Sequence, residues 1–184
     1  MINRSPRPAR LPGDRTASVK HMIRVDHAGE YGAARIYAGQ LAIMGSRHKD
    51  SGTIAHMAEQ EARHLQTFDR LITERRVRPT LLGPIWHVAG FALGAATALI
   101  GPKAAMACTA AVETVIEDHY AAQSLALGDS DPELSGIIDD FRKDEIAHRD
   151  TAIASGAEDA VAYPLMAAVI KAGCRVAIAV TERL

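Results

Sequence analysis

The sequence predicts an all-α protein, a four-helix bundle built from two copies of a helix pair. The motif Glu-x-x-His occurs twice in helical surroundings, as Glu61 with His64 and as Glu145 with His148. Residues three apart lie on one face of a helix, so each motif presents a carboxylate and an imidazole together. The composition agrees, because 48% hydrophobic residues with only 4% aromatics and many alanines are typical of closely packed helices.

A lone glutamate precedes each motif at nearly the same distance. Overlaying the two halves pairs Glu30 with Glu113 at an offset of 83 positions, and aligns the two Glu-x-x-His motifs at an offset of 84. One glutamate from each of two helices and Glu-x-x-His from each of two others is the ligand set of di-iron and di-manganese bundles. We therefore predict six metal ligands: Glu30, Glu61, His64, Glu113, Glu145 and His148.

The overlay also separates these six residues from their charged neighbours. A single Glu-x-x-His match is weak evidence, and helix-surface charge pairs are the alternative interpretation of the motifs. Several neighbouring acids and histidines have no counterpart in the other half, and we expect them to be solvated or to support a ligand: Asp26, His27, Glu59, Glu117 and Asp118.

Four carboxylates offset the charge of two divalent or trivalent ions, and two imidazoles favour iron or manganese over calcium. Asp144 and Arg149 flank the second motif. Both are candidates to support the ligands, although a plain surface charge is the favoured interpretation of Arg149.

The first helix pair is predicted over residues 22–44 and 51–76. Gly45-Ser46 ends the first helix, and Arg78-Pro79 ends the second because a residue before proline disfavours helical geometry. The second pair is predicted over residues 103–127, stopped by Gly128, and from the start signal Asp131-Pro132-Glu133 to about Ala154.

An uncharged apolar segment, residues 81–101, links the two pairs. Its length reaches that of a membrane span, but Pro84, His87 and its position between the pairs argue against spanning. We favour a short helix at the membrane interface, with Trp86 at headgroup level and Gly90-x-x-x-Gly94 at a close helix contact. A buried connector is the alternative.

The last segment, residues 161–180, is apolar except for Lys171 and Arg175. It is a second candidate for membrane contact, and a helix that caps the bundle is an equal alternative.

Residues 1–20 form a predicted flexible basic arm without the apolar stretch of a secretory signal, and residues 21–184 form one predicted domain. The net charge of −1 predicts no nucleic-acid partner. Cys108 and Cys174 do not form a disulfide framework.

Seven runs carry a resemblance to a known family: RVDHAGEYGAARIYAGQ (24–40), EQEARHL (59–65), RVRPTLLGPIWHVAGFALGA (76–95), AMACTAAVE (105–113), HYAAQ (119–123), DEIAHRD (144–150) and KAGCRVAIAVTERL (171–184). In these runs the chain resembles the demethoxyubiquinone hydroxylases, ferritin-like di-iron mono-oxygenases of ubiquinone biosynthesis. The similarity covers nearly everything after residue 20. The metal ligands of that family fall on the same six residues.

The resemblance implies hydroxylation of the ring of a polyprenylated demethoxyubiquinone with dioxygen, the penultimate step toward ubiquinone. It implies two iron ions, NADH as the ultimate electron donor, and roles for His119 and Tyr120 in quinol binding or electron transfer. For these two side chains a buried imidazole and a packed phenol remain the alternative. No dinucleotide-binding motif is present in the sequence, so direct reduction and a partner reductase both stay open.

A polyprenyl tail places the substrate in a bilayer, so we expect a peripheral membrane protein. The cytoplasmic side of a bacterial inner membrane is the expectation, with the matrix side of the mitochondrial inner membrane as the alternative. The resemblance also implies a lipid-binding partner of ubiquinone assembly. Two other functions compete with hydroxylation: a ferroxidase or peroxide scavenger of the rubrerythrin kind, and a non-catalytic quinone-binding scaffold.

Overall fold

The computed structural model describes residues 14–46 and 48–183. Within these residues every regular element is helical, which confirms the predicted all-α class. The elements are α1 (Asp14–Met44), α2 (Ser51–Glu74), α3 (Gly83–Ile100), α4 (Pro102–Leu127), α5 (Pro132–Ala154) and α6 (Tyr163–Thr181), with 3-10 turns at Gly128–Ser130 and Ala157–Asp159.

The four-helix bundle consists of α1, α2, α4 and α5. Helix α1 packs along α2, and α4 packs along α5, so the two predicted helix pairs are the two hairpins of the bundle. Contacts of α1 with α4 and of α2 with α5 join the hairpins. The predicted bundle of two helix-pair repeats is confirmed.

Most helix ends follow the predicted local signals. Gly45 and Gly128 have φ angles of 65° and 48°, a left-handed conformation that favours glycine and ends α1 and α4. The Asp131 side chain accepts a hydrogen bond from the Leu134 backbone N–H at 3.1 Å and so caps the start of α5. Helix α2 ends at Glu74, two residues before the predicted end, and Arg76 adopts a φ of 50°.

Helix α1 begins at Asp14, eight residues before the predicted start at residue 22. Val19 and Met22 continue the apolar face of this helix against the buried cluster around Phe68 and Leu71, which extends the helix into the predicted arm. Residues 1–13 of that arm lie outside the described residues, and residues 14–20 belong to α1.

Two apolar clusters fill the bundle on either side of a central polar layer. The first lies near the α1–α2 turn and includes Ile54, Met57 and Ala152. The second lies toward the opposite end and includes Phe68 and Leu134. The polar layer between them is therefore remote from both ends of the bundle.

Helices α3 and α6 lie outside the bundle, and each packs on both α1 and α4. Only 17% of each helix is buried, so α3 is not the buried connector that was the alternative prediction. By length and composition both helices could cross a membrane. Trp86 is half-buried and its indole nitrogen is enclosed by protein, and its placement at headgroup level stays a prediction.

Glycines allow α3 to lie directly against α1, which confirms the predicted close contact at Gly90 and Gly94. A Cβ atom added at Gly94 would lie 1.9 Å from the Ile36 carbonyl oxygen, and one added at Gly39 would lie 2.2 Å from the Phe91 carbonyl oxygen. Neither distance leaves room for a methyl group, because both neighbours are rigid helix backbone.

We predict that Gly94→Ala lowers the free energy of unfolding by about 1–3 kcal/mol, because the added methyl group forces α3 away from α1. Gly136→Ala is the matched control: Gly136 is an exposed glycine inside α5 with no atom within 4 Å of its added Cβ. That variant should gain up to about 1 kcal/mol from helix propensity. Chemical denaturation measures the free energy of unfolding of each variant. A Gly94→Ala variant as stable as the wild type would refute the close contact.

Candidate metal centre

The six predicted ligands converge in the central polar layer. Glu30 comes from α1, Glu61 and His64 from α2, Glu113 from α4, and Glu145 and His148 from α5. Each is at most 2% exposed. Surface charge pairs, the alternative interpretation of the motifs, do not account for such burial.

The six side chains form two overlapping groups. In each group one ligand atom per residue lies within 4.8 Å of the others: Glu30, Glu61, His64 and Glu145 in one, and Glu61, Glu113, Glu145 and His148 in the other. Glu61 and Glu145 belong to both groups. The arrangement therefore suits two neighbouring ions that share two carboxylates.

The pattern of hydrogen bonds among the described residues fits ions at these positions. In the six side chains, eight buried atoms have no hydrogen-bond partner: Oε2 of Glu30, both carboxylate oxygens of Glu61, Oε2 of Glu113, both carboxylate oxygens of Glu145, and Nδ1 of His64 and His148. Buried polar atoms are normally paired. Two cations would satisfy these oxygen and nitrogen donors together, and the donor set fits iron or manganese.

Acceptor groups orient both imidazoles. The Nε2 atom of His64 lies 3.0 Å from Oδ2 of Asp144, and Nε2 of His148 lies 3.1 Å from the amide oxygen of Gln60. Because these oxygens accept, Nε2 carries the proton, and the lone pair of Nδ1 faces the carboxylates. Nδ1 of His64 lies 3.2 Å from Glu145. The predicted supporting role of Asp144 fits this contact, whereas Arg149 pairs with other acids at the surface.

Two buried tyrosines hold the lone glutamates. The Tyr37 hydroxyl donates a 2.7 Å hydrogen bond to Oε1 of Glu113, and the Tyr120 hydroxyl donates to Oε1 of Glu30. The sequence reasoning named Tyr120 but missed Tyr37. The signal was present, because these tyrosines are 83 positions apart, the same offset that relates Glu30 to Glu113.

His119 does not contact any of the six residues. Its Nε2 atom lies 3.3 Å from Oδ1 of Asp26, which also accepts a 2.7 Å hydrogen bond from Gln123. Asp26 is buried and not solvated, and burial raises its pKa. A cavity of about 500 Å³ opens beside His119 and Gln123, where α1, α4 and the end of the chain meet.

The remaining charged neighbours lie away from the centre, as expected from the overlay. Glu59 and Asp118 are exposed. His27 lies 2.9 Å from Asp69, and Glu117 pairs with arginines of α5.

Aromatic rings cover the side of the centre next to His64. The Phe141 ring stacks on the His64 imidazole with a centroid distance of 3.9 Å, and Phe68 packs edge-on against Phe141. The interior is therefore of low polarity, which strengthens the attraction of the carboxylates for a cation.

Comparison with known proteins decides the family. The chain matches the family of the ubiquinone biosynthesis protein COQ7 over residues 17–181. The chain belongs to this family. It is 55% identical over 177 residues to the 3-demethoxyubiquinol 3-hydroxylase of Rhodospirillum rubrum, covering 95% of this chain and 84% of the relative.

Two eukaryotic relatives are similar over most of their length. The mitochondrial NADPH-dependent 3-demethoxyubiquinone 3-hydroxylase of Homo sapiens is 51% identical over 172 residues, covering 91% of this chain and 79% of the relative. The mitochondrial 5-demethoxyubiquinone hydroxylase of Saccharomyces cerevisiae is 43% identical over 196 residues, covering 98% of this chain and 84% of the relative.

Burial and mutual repulsion disturb the titration of the acids in the metal-free centre. Burial, and then the neighbouring carboxylates, raise the pKa of Glu61 and Glu113 well above 4.5. Burial lowers the pKa of His64, but the nearby carboxylates of Glu145 and Glu30, which favour a protonated imidazole, outweigh it and raise the pKa to about 10. Without metal, these raised pKa values favour protons at the positions that cations would otherwise take.

We predict that the stabilisation given by bound metal grows with pH. The raised pKa values of Glu61, Glu113 and His64 mean that the metal-free folded state binds more protons than the unfolded chain, so its stability falls as pH rises. The lowered pKa of His148 opposes this only around its ordinary value of 6.5. The rise in melting temperature on adding ferrous iron without oxygen should be larger at about pH 8 than at about pH 5.5. An equal rise at both would contradict the prediction.

Proposed function

We propose that this protein hydroxylates the ring of a polyprenylated demethoxyubiquinol with dioxygen at a di-iron centre, the penultimate step of ubiquinone biosynthesis. One observation carries the proposal. Six buried ligand groups form two overlapping sets in a chain whose relatives are named demethoxyubiquinone hydroxylases. The ligands we propose are Glu30, Glu61, His64, Glu113, Glu145 and His148.

Two iron ions bound there would supply the redox chemistry that reduces dioxygen. One oxygen atom enters the ring and the other leaves as water, which requires two electrons and two protons. The protein's own residues hold the ligands, exclude water and store protons. Tyr37 and Tyr120 each keep a proton on a hydroxyl that is hydrogen-bonded to a ligand carboxylate. These contacts fix one oxygen of Glu113 and of Glu30 and leave the other free.

The electrons come ultimately from a reduced nicotinamide. The family resemblance implies NADH, whereas the mammalian relatives are named NADPH-dependent. The polar group of His119, Asp26 and Gln123 lies beside an open cavity, and Tyr120, next in sequence to His119, contacts Glu30. The position of His119 beside the cavity and the contact of Tyr120 with Glu30 support a role for these two residues in binding the quinol or delivering electrons.

The exposed apolar side chains of α3 and α6, together called the apolar face, support attachment to a membrane surface that supplies the polyprenylated substrate. The apolar face consists of exposed side chains on helices that pack on the same two bundle helices: Ile85, Val88, Leu99 and Ile100 of α3, and Leu165, Val169 and Val176 of α6. Exposed apolar surface of this extent marks contact with lipid or another protein. We propose the inner bacterial membrane or its mitochondrial counterpart, and a lipid-binding assembly protein as a further partner of the same face.

We predict that Glu113→Gln reduces hydroxylation of a demethoxyquinol by more than roughly 100-fold, beyond the effect typical of residues that only support ligands. The variant should bind fewer than two iron ions per chain. Its circular dichroism spectrum should remain that of a helical protein. Glu59→Gln, a change of an exposed acid on α2, is the control and should leave both unchanged. A Glu113→Gln protein with two irons and full activity would refute the assignment.

We predict that the double variant Val88→Asp, Val169→Asp sediments with liposomes of phosphatidylethanolamine and phosphatidylglycerol roughly tenfold more weakly or worse. The reason is that two apolar side chains that would be buried in lipid are replaced by charged ones. Leu125→Asp is the control, since Leu125 is 87% exposed on α4, outside the apolar face. If the double variant sediments like the wild type, the apolar face does not bind lipid.

A further inference from the structure

The six ligands repeat almost perfectly between the two hairpins, and their tyrosine partners repeat with them. Tyr37 of the first hairpin holds Glu113 of the second, and Tyr120 of the second holds Glu30 of the first. A centre with only these contacts would offer two equivalent metal positions.

The partners of the histidines break this equivalence. Gln60 immediately precedes Glu61, and Asp144 immediately precedes Glu145, so they are counterparts at the offset of 84. Each reaches across to the histidine of the other hairpin: Asp144 accepts from His64 at 3.0 Å, and Gln60 accepts from His148 at 3.1 Å. The geometry is the same on both sides, but one acceptor is a carboxylate and the other is a neutral amide.

A carboxylate changes the imidazole more than an amide does. A hydrogen bond to an ionised acceptor is roughly twice as strong as one between neutral groups. It draws the proton of His64 Nε2 toward oxygen and leaves more electron density on Nδ1, the atom that faces Glu30 and Glu145. The Asp144 side chain is 36% exposed, so water covers its other oxygen and its charge needs no buried partner.

We propose that the two metal positions are inequivalent, and that the position formed by Glu30 and His64 binds its ion more tightly than the position formed by Glu113 and His148. The cause is the pairing of His64 with Asp144 and of His148 with Gln60. The inference rests on the proposed metal-binding function and adds an order of loading to it. Asp144 and Gln60 are positioning residues, because each acts on the metal only through a histidine.

The test is an anaerobic calorimetric titration of metal-depleted protein with ferrous iron. The wild type should bind in two steps. Asp144→Asn should weaken the tighter step about 10- to 100-fold and leave the weaker step unchanged. Gln60→Glu should strengthen the weaker step and leave the tighter step unchanged. His64→Ala should remove the tighter step, and His148→Ala the weaker one, which assigns each step to a position.

Four outcomes would overturn the inference. Two equal sites in the wild type, or an Asp144→Asn titration identical to that of the wild type, would overturn it while leaving the di-iron function intact. A wild type that binds no ferrous iron would overturn both. If circular dichroism shows that Asp144→Asn is unfolded, Gln60→Glu decides alone, and an unchanged weaker step refutes the proposal.

Discussion

The structure depends on one constraint: four carboxylates and two imidazoles are buried together in the interior of a helical bundle. Burying an ionised group without a partner costs several kcal/mol, and here six carboxylate oxygens of the four acids and one ring nitrogen of each histidine have no hydrogen-bond partner. Without metal, burial and the repulsion between neighbouring carboxylates raise the pKa values of Glu61 and Glu113, which favours their protonated forms. Two bound cations would remove both the repulsion and the unpaired atoms, and would thereby couple metal binding to folding.

The same constraint explains how the two hairpins fit together. All four contacts that hold ligands cross from one hairpin to the other: Tyr37 to Glu113, Tyr120 to Glu30, Asp144 to His64 and Gln60 to His148. Side chains of the opposite hairpin therefore orient the lone glutamate and the histidine of each hairpin. The packing of α1 and α2 against α4 and α5 therefore sets the geometry of the centre. The apolar clusters on either side exclude water from the interface between the hairpins.

The sequence predicted what depends on local signals and on the internal repeat. Helix ends at Gly45, Gly128 and Asp131 follow from backbone chemistry, and the six convergent groups follow from two motifs with matched glutamates. Features that depend on distant contacts could not be predicted from local sequence signals. The extension of α1 to residue 14 depends on packing against α2, and the burial of Asp26 depends on Gln123 of α4. The role of Tyr37 could have been predicted from the sequence, because its offset from Tyr120 equals the offset between Glu30 and Glu113.

The central claim is that two ions lie between the hairpins and share Glu61 and Glu145. Anomalous X-ray diffraction at the iron edge, on crystals of protein loaded without oxygen, tests it most directly. The account predicts two peaks per chain, roughly 3.5–4 Å apart as in other two-metal sites, with His64 at one ion and His148 at the other. A single peak, or iron bound away from these six side chains, would contradict it.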